Sequence, residues 1–346
     1  MTFRHLRSFI CLAILGYCAS SASATLLYSD NFNADTSASY NTFITAGATG
    51  PSGDATWAYD YGAAPGSGGL AIPVAPHSTD STTLGLRVRT DNLQNSVGTI
   101  VGATSVVTKT LSLPSAYLIQ VDVWDNYIGG SNLSSSGSNG STGAAVGLGT
   151  AGTSLQYIAA NDGLLVEGFG DNGGGANQAY RVYTNNVTTP HPNPTTKPYW
   201  AAGTTATSAS FSDPYYTSRF PSVSGPAAQA TFAPGTQGGS TAAGTLGFAW
   251  HTWTMLNDGT NVTWGIDGSP IATIPTADFT AAGGQVSLGA GDTNLSANTT
   301  ANGQLFNTHI FDNLQIFDVP EPASAALLAL GITTVGLATR RARRVA

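Results

Sequence analysis

Apolar and polar residues alternate in short runs along most of this chain, and clusters of Gly, Asn, Asp and Pro cut the runs apart. From Tyr117 to Trp124 the alternation puts Tyr117, Ile119, Val121 and Val123 on one face of a strand and Leu118, Gln120, Asp122 and Trp124 on the other. Leu84, Leu86 and Val88 oppose Arg87 and Arg89 in the same way, as a half-buried strand requires. Between Trp250 and Ile274 the pattern predicts a three-stranded meander. Its first strand ends near Leu256 and turns at Asn257-Asp258-Gly259. The second returns through Val262, Trp264 and Ile266, turns at Asp267-Gly268, and leads into a third from Ile271 to Ile274. No stretch outside the two ends has helical periodicity, so an all-β antiparallel fold is expected.

The ends read differently. Arg4 and Arg7 precede an apolar stretch from Phe9 to Gly16 and the small residues Ala22-Ser23-Ala24, which predicts a secretory signal peptide over residues 1–24 and cleavage before Thr25. Cys11 and Cys18 both fall in that segment, and bulky Tyr17 argues against lipid attachment at Cys18, so the mature chain has no disulfide and no thiol chemistry. At the other end Val319-Pro320-Glu321-Pro322 precedes an uncharged apolar run over residues 323–339 and then Arg340, Arg341, Arg343 and Arg344. Proline is tolerated only in a first helical turn, so a helix should start near Ala323. At about 1.5 Å per residue it spans roughly 25 Å, slightly short of a bilayer core, which makes it a weak single transmembrane anchor. The arginines place its far end in the cytoplasm.

This tail, residues 319–346, resembles the PEP-CTERM sorting signal of exported bacterial proteins, a tail also carried by some ice-binding proteins. The resemblance implies export through the Sec translocon, transient anchoring in the inner membrane, cutting near Pro-Glu-Pro by an exosortase-type enzyme, and delivery to the cell surface or extracellular matrix. The remaining ectodomain, residues 25–318, is long enough to bury a large core unaided. Its six basic residues face eighteen acidic ones, a net charge of −12 that excludes nucleic acid as a partner class. The acidity serves either solubility or divalent cations.

A second resemblance covers most of the ectodomain. The opening run Leu26 to Phe32, the meander with Asp267-Gly268 and the closing run Ile310 to Ile316 are similar to a concanavalin A-like jelly roll of the laminin-G type. Trp57 to Tyr61, with Asp122 to Asn126, is similar to other PEP-CTERM proteins. The resemblance implies two packed sheets whose first and last strands are neighbours. Two segments depart from it: a Gly/Ser/Asn-rich loop, Gly129 to Gly143, and a Pro/Thr/Ser-rich insertion over about 185–240 whose many prolines predict extended or irregular chain.

Catalysis is not expected. Glycoside hydrolysis needs two facing carboxylates, whereas Glu167 is the single glutamate of the ectodomain, and the odd separation of Asp122 and Asp125 puts them on opposite faces of a regular strand. The five histidines show no metal spacing, and no Gly-x-Ser-x-Gly elbow occurs. For sugar binding, Trp57, Tyr59 and Tyr61 lie on one side of an alternating segment and serve either as a stacking platform or as core. Trp124 opposes the apolar face of its strand, with Tyr127 nearby. Asp30, Asp35 and Asp312 would form a structural calcium site if the first and last strands bring them together; otherwise no cofactor is expected. The reading is therefore an exported, non-enzymatic protein that binds extracellular polysaccharide or builds the matrix. A glycoside hydrolase-like or ice-binding protein is the alternative, although no flat Thr-x-Thr array is evident.

Overall fold

The computed structural model describes residues 24–46, 51–90, 102–128, 142–157, 162–171, 178–185, 199–203, 208–292 and 301–319. Nearly all of the expected signal peptide, most of the 129–143 loop and the expected sorting tail beyond Val319 lie outside the described residues. Among those described, no helix is long and apolar enough to cross a membrane.

The described strands are β1 (Leu26–Asp30), β2 (Tyr40–Ile44), β3 (Asp54–Asp60), β4 (Leu84–Arg89), β5 (Ala103–Thr108), β6 (Tyr117–Asn126), β7 (Thr142–Thr150), β8 (Leu164–Phe169), β9 (Gln178–Thr184), β10 (Ala209–Ser210), β11 (Trp250–Asn257), β12 (Asn261–Ile266), β13 (Ser269–Pro275), β14 (Gln285–Asp292) and β15 (Thr308–Asp318). Sheet A runs β13-β12-β11-β6-β15-β4-β3, and β1 also pairs with β15. Sheet B runs β10-β9-β8-β7-β14-β5-β2. The ladders are antiparallel throughout, so the chain forms a two-sheet antiparallel sandwich.

The alternation sets which face is inside. Ile119, Val121 and Val123 of β6 join Trp253, Met255 and Trp264 of the meander against Val146, Val166, Val182 and Leu288 of sheet B. Burying each such side chain contributes about 1.5–3 kcal/mol, which is how a sandwich without disulfides holds together. The meander forms as expected over β11, β12 and β13. Its second turn places Asp267 at φ 50° and Gly268 at φ 73°, the two left-handed positions that a type I′ hairpin turn demands.

The insertion differs from its expectation. Its described part carries short helices at Pro214–Thr217, Ala227–Phe232 and Pro234–Gln237. Prolines that break ladders are also suited to starting helices, because a first-turn residue needs no N–H partner. Pro214 opens one helix, and the Asp213 side chain caps it by accepting from the Tyr215 N–H at 2.8 Å. Tyr216 and Phe220 then stack on Tyr180 of β9 at 4.7 and 6.2 Å, so this part is packed against the sandwich.

Candidate functional site

The outer face of sheet A is built in rows across neighbouring strands, and each row has its own chemistry. The first row, Ile310, Trp124 and Trp250, is covered by the β3–β4 connection and by the 227–232 helix, forming a second apolar cluster with Tyr59, Tyr61, Leu70 and Phe306. Trp250 and Gln229 pin the connection by donating to the carbonyls of Pro73 at 2.7 Å and Leu70 at 2.8 Å. The next row is Asp312, Asp122 and Thr252, directly opposite one another on β15, β6 and β11. Beyond it come Ser29, Gln315, Gln120 and Thr254, and then Leu26, Phe317, Leu118 and Leu256.

Both aspartates of the second row are buried, Asp122 at 0% and Asp312 at 1% exposure, and both are held by donors from the connection. Asp122 accepts from the His77 N–H at 3.0 Å and sits 2.8 Å from the His77 Nδ1. It also takes the Thr252 hydroxyl and the Asn313 amide, each at 3.0 Å. Asp312 accepts from the Tyr61 hydroxyl at 3.0 Å, the Ser78 hydroxyl at 3.3 Å and the Asn313 N–H at 2.8 Å. Burial pushes the Asp312 carboxyl up to about 7 against these bonds, and the neighbouring Asp122 adds to the rise. A β-bulge makes the arrangement possible. Between Asp312 and Gln315 the strand carries one extra residue, with Asn313 at φ 52°, so two residues at odd separation both face outward.

Next to this row lies an open cleft of about 520 Å³ lined by Ser29, Asn31, Thr36, His77, Asn313 and Gln315, among others. The His77 side chain is 43% exposed there while its other side rests on Asp122. Ser29 and Gln315 belong both to the cleft and to the polar row, so the row continues from the cleft across four strands, three intervals of about 4.8 Å. The row carries no charge. Thr263 and Thr273 extend the same outer face beyond Leu256 on β12 and β13, their hydroxyls 3.5 Å apart.

Several expected site residues lie elsewhere. The Trp57, Tyr59 and Tyr61 row is split by a bulge between Thr56 and Tyr59, where Ala58 has φ 49°. Trp57 turns inward to the main core, and Tyr59 and Tyr61 are buried in the outer cluster at 9% and 0% exposure, so no stacking platform forms. Trp124 and Tyr127 are also buried, at 3% and 1%, because the β3–β4 connection and Phe248 cover them. The aspartates expected to hold calcium do not converge. Although β1 pairs with β15, Asp30 stands opposite Leu314 on the inner face while Asp312 faces outward. Asp30 is occupied by the Phe32 N–H, the Thr36 hydroxyl and the Tyr40 hydroxyl at 2.7–2.9 Å, and Asp35 by the Ser37 N–H at 3.0 Å. Among the described residues no group of three His, Cys, Asp or Glu is placed to hold a metal ion.

Glu167 is on the outer face of sheet B, opposite Arg181 of β9 and Ala145 of β7, and is fully buried. Its two oxygens accept from the Tyr157 hydroxyl at 2.9 Å and the Tyr183 hydroxyl at 3.1 Å, and Arg181 approaches to 4.0 Å. Burial pushes its carboxyl up to about 7, although Arg181 and the two hydroxyls pull the other way. Tyr157 reaches it by lying over Gly291, where a Cβ would fall 1.7 Å from the ring.

No protein-family model matches the sequence. No curated protein matches it either. Solved structures similar in outline include a Bacillus subtilis protein of unknown function with a galectin-like fold, at 7% identity and TM-score 0.40 over 86% of this chain and 98% of that one. Another is an endo-1,3-β-glucanase from Streptomyces sioyaensis, at 12% identity and TM-score 0.43 over 88% and 99%. A third is the exoplasmic domain of VIP36 bound to Ca²⁺ and Man3GlcNAc, at 9% identity and TM-score 0.40 over 86% and 91%. Likeness this distant says nothing about the chemistry of the site.

Proposed function

We propose that the chain is an exported, non-enzymatic β-sandwich of the concanavalin A-like kind that binds neutral extracellular polysaccharide through the cleft beside β1 and β15. On this reading it leaves the cell through the Sec translocon, is held briefly in the inner membrane by its tail, is cut by an exosortase-type enzyme, and reaches the cell surface or matrix. The observation that carries the binding role is the cleft itself, open, lined by hydroxyl, carboxamide and imidazole groups beside an Asp30 carboxylate already engaged by Phe32, Thr36 and Tyr40, and continuous with an uncharged row of Ser29, Gln315, Gln120 and Thr254. Sugars are held by such groups together with apolar surface for their ring faces, and the adjacent row of Phe317, Leu118 and Leu256 offers that surface. Support for a non-enzymatic role comes from the carboxylates: Glu167 is engaged at both oxygens, and Asp122 and Asp312 are sealed beneath the β3–β4 connection.

Retention of the purified exported protein on a panel of neutral and anionic polysaccharides tests the proposal. Binding to a neutral polymer that Gln315→Ala weakens is expected; absence of retention on every polymer would leave the structural role in the matrix. Release of new reducing ends, abolished by Glu167→Gln, would instead establish the hydrolase alternative.

A further inference from the structure

Both ends of the described ectodomain meet at one place. The Thr25 N–H donates to the Asp318 carboxylate, and the Asp318 N–H donates back to the Thr25 carbonyl at 2.9 Å. One residue further, the Val319 N–H donates to the Ala116 carbonyl at 3.2 Å. Thr25 is the residue that the Ala22-Ser23-Ala24 pattern makes the first of the processed chain, and Val319 is the last residue before Pro320.

Resting on the export reading above, we propose that Asp318 is the receptor for the N-terminus created by signal-peptide removal. Hydrolysis of the Ala24–Thr25 peptide bond adds water across it, leaving the carboxylate on Ala24 and an ammonium group on Thr25. A neutral amide that donated one hydrogen bond to Asp318 thereby becomes a cation beside the same carboxylate, and the contact changes from a neutral-donor bond to an ion pair. The reciprocal bond from the Asp318 N–H to the Thr25 carbonyl fixes the two residues side by side, so the pair forms without moving either strand. The clasp lies immediately before Val319. Processing at one end therefore steadies the strand from which the sorting tail departs, and β1 is tied to β15 most firmly in the chain that has already lost its leader.

The reactivity of the new amine tests this. The protein is exported with its own leader and purified folded, then acylated briefly at pH 7. Mass spectrometry identifies the labelled peptides, with Lys109 as the internal reference. A peptide starting at Thr25 is expected, labelled about two- to fivefold more slowly in the wild type than in Asp318→Asn, the ratio appropriate to an exposed ion pair. Asp318→Glu should restore part of the protection. Equal labelling of Thr25 in wild type and Asp318→Asn, with Lys109 unchanged, would overturn the clasp and leave the export reading standing. A chain starting at any other processed residue would also overturn the clasp alone. A chain still beginning at Met1 would overturn the export reading and the clasp together.

Discussion

Glu167 on sheet B and the Asp122–Asp312 pair on sheet A are both buried carboxylates on outer faces, yet they are satisfied in different ways. Glu167 is held by side chains of its own neighbourhood, Tyr157, Tyr183 and Arg181, which form a closed set around one acid. The aspartates are held largely by the β3–β4 connection: the His77 N–H and ring, the Ser78 hydroxyl and, at its start, the Tyr61 hydroxyl. The first arrangement stiffens a sheet. The second fastens a covering segment, and because His77 and Asn313 also line the cleft, it shapes a surface that meets solvent.

Removing each acid should separate these roles, and Glu167→Ala should have the larger effect. It leaves two buried tyrosine hydroxyls and a buried guanidinium without their common partner, a loss of about 3–5 kcal/mol. Urea denaturation should show the midpoint falling steeply while the rest of the fold unfolds in one step. Asp122→Ala should cost about 2–3 kcal/mol, since it takes an acceptor from the Asn313 amide, from the Thr252 hydroxyl and from His77. Its mark should be local: hydrogen exchange ought to rise across residues 61–83 before it rises in β6. Uniform exchange throughout the sandwich would mean that the connection is not held by the aspartates.

The two regions should agree in their response to pH. Both Glu167 and Asp312 have folded values raised to about 7, from ordinary values of 4.5 and 3.8. A raised carboxyl binds its proton more tightly in the folded chain, so its contribution to stability is complete below the ordinary value and is lost as pH rises through the folded one. Thermal stability should therefore decline between about pH 4 and pH 8. Asp312→Asn should flatten part of that decline, and Glu167→Gln another part. A melting temperature that climbs over this interval in the wild type would contradict both assignments.

The sandwich was legible in the sequence because alternation reports burial strand by strand: β4, β6 and the meander all turn the expected faces inward. Regular alternation is also what misplaced the aromatic row. A one-residue bulge at Ala58 sends Trp57 and Tyr59 to opposite sides, and only a left-handed backbone at an alanine announces it. The same applies at Asn313, whose bulge brings Asp312 into line with Asp122, although an asparagine after an aspartate was a weak signal for it. The polar row was invisible for another reason. Ser29, Gln315, Gln120 and Thr254 come from four strands, and no local pattern in the chain links residues that only sheet pairing makes neighbours. The gathering of Thr254, Thr263 and Thr273 on one face was missed in the same way.

That row gives the smallest effect on stability and the clearest on binding. Gln315 and Gln120 are half-buried on an open face, and neither holds the β3–β4 connection, so alanine at either position should shift stability by no more than about 0.5 kcal/mol. If the cleft and row act as one surface, Gln315→Ala should weaken retention on a neutral polysaccharide more than Gln120→Ala, because Gln315 also lines the cleft, and the double change should weaken it further. Short oligosaccharides should be affected by Gln315→Ala alone, since a ligand confined to the cleft does not reach Gln120, two strands from Ser29. Equal loss from both single changes at every ligand length would break the distinction between cleft and row. A binding loss accompanied by a large fall in stability would show that the open half of sheet A, like the half holding Asp122, serves to keep the fold together.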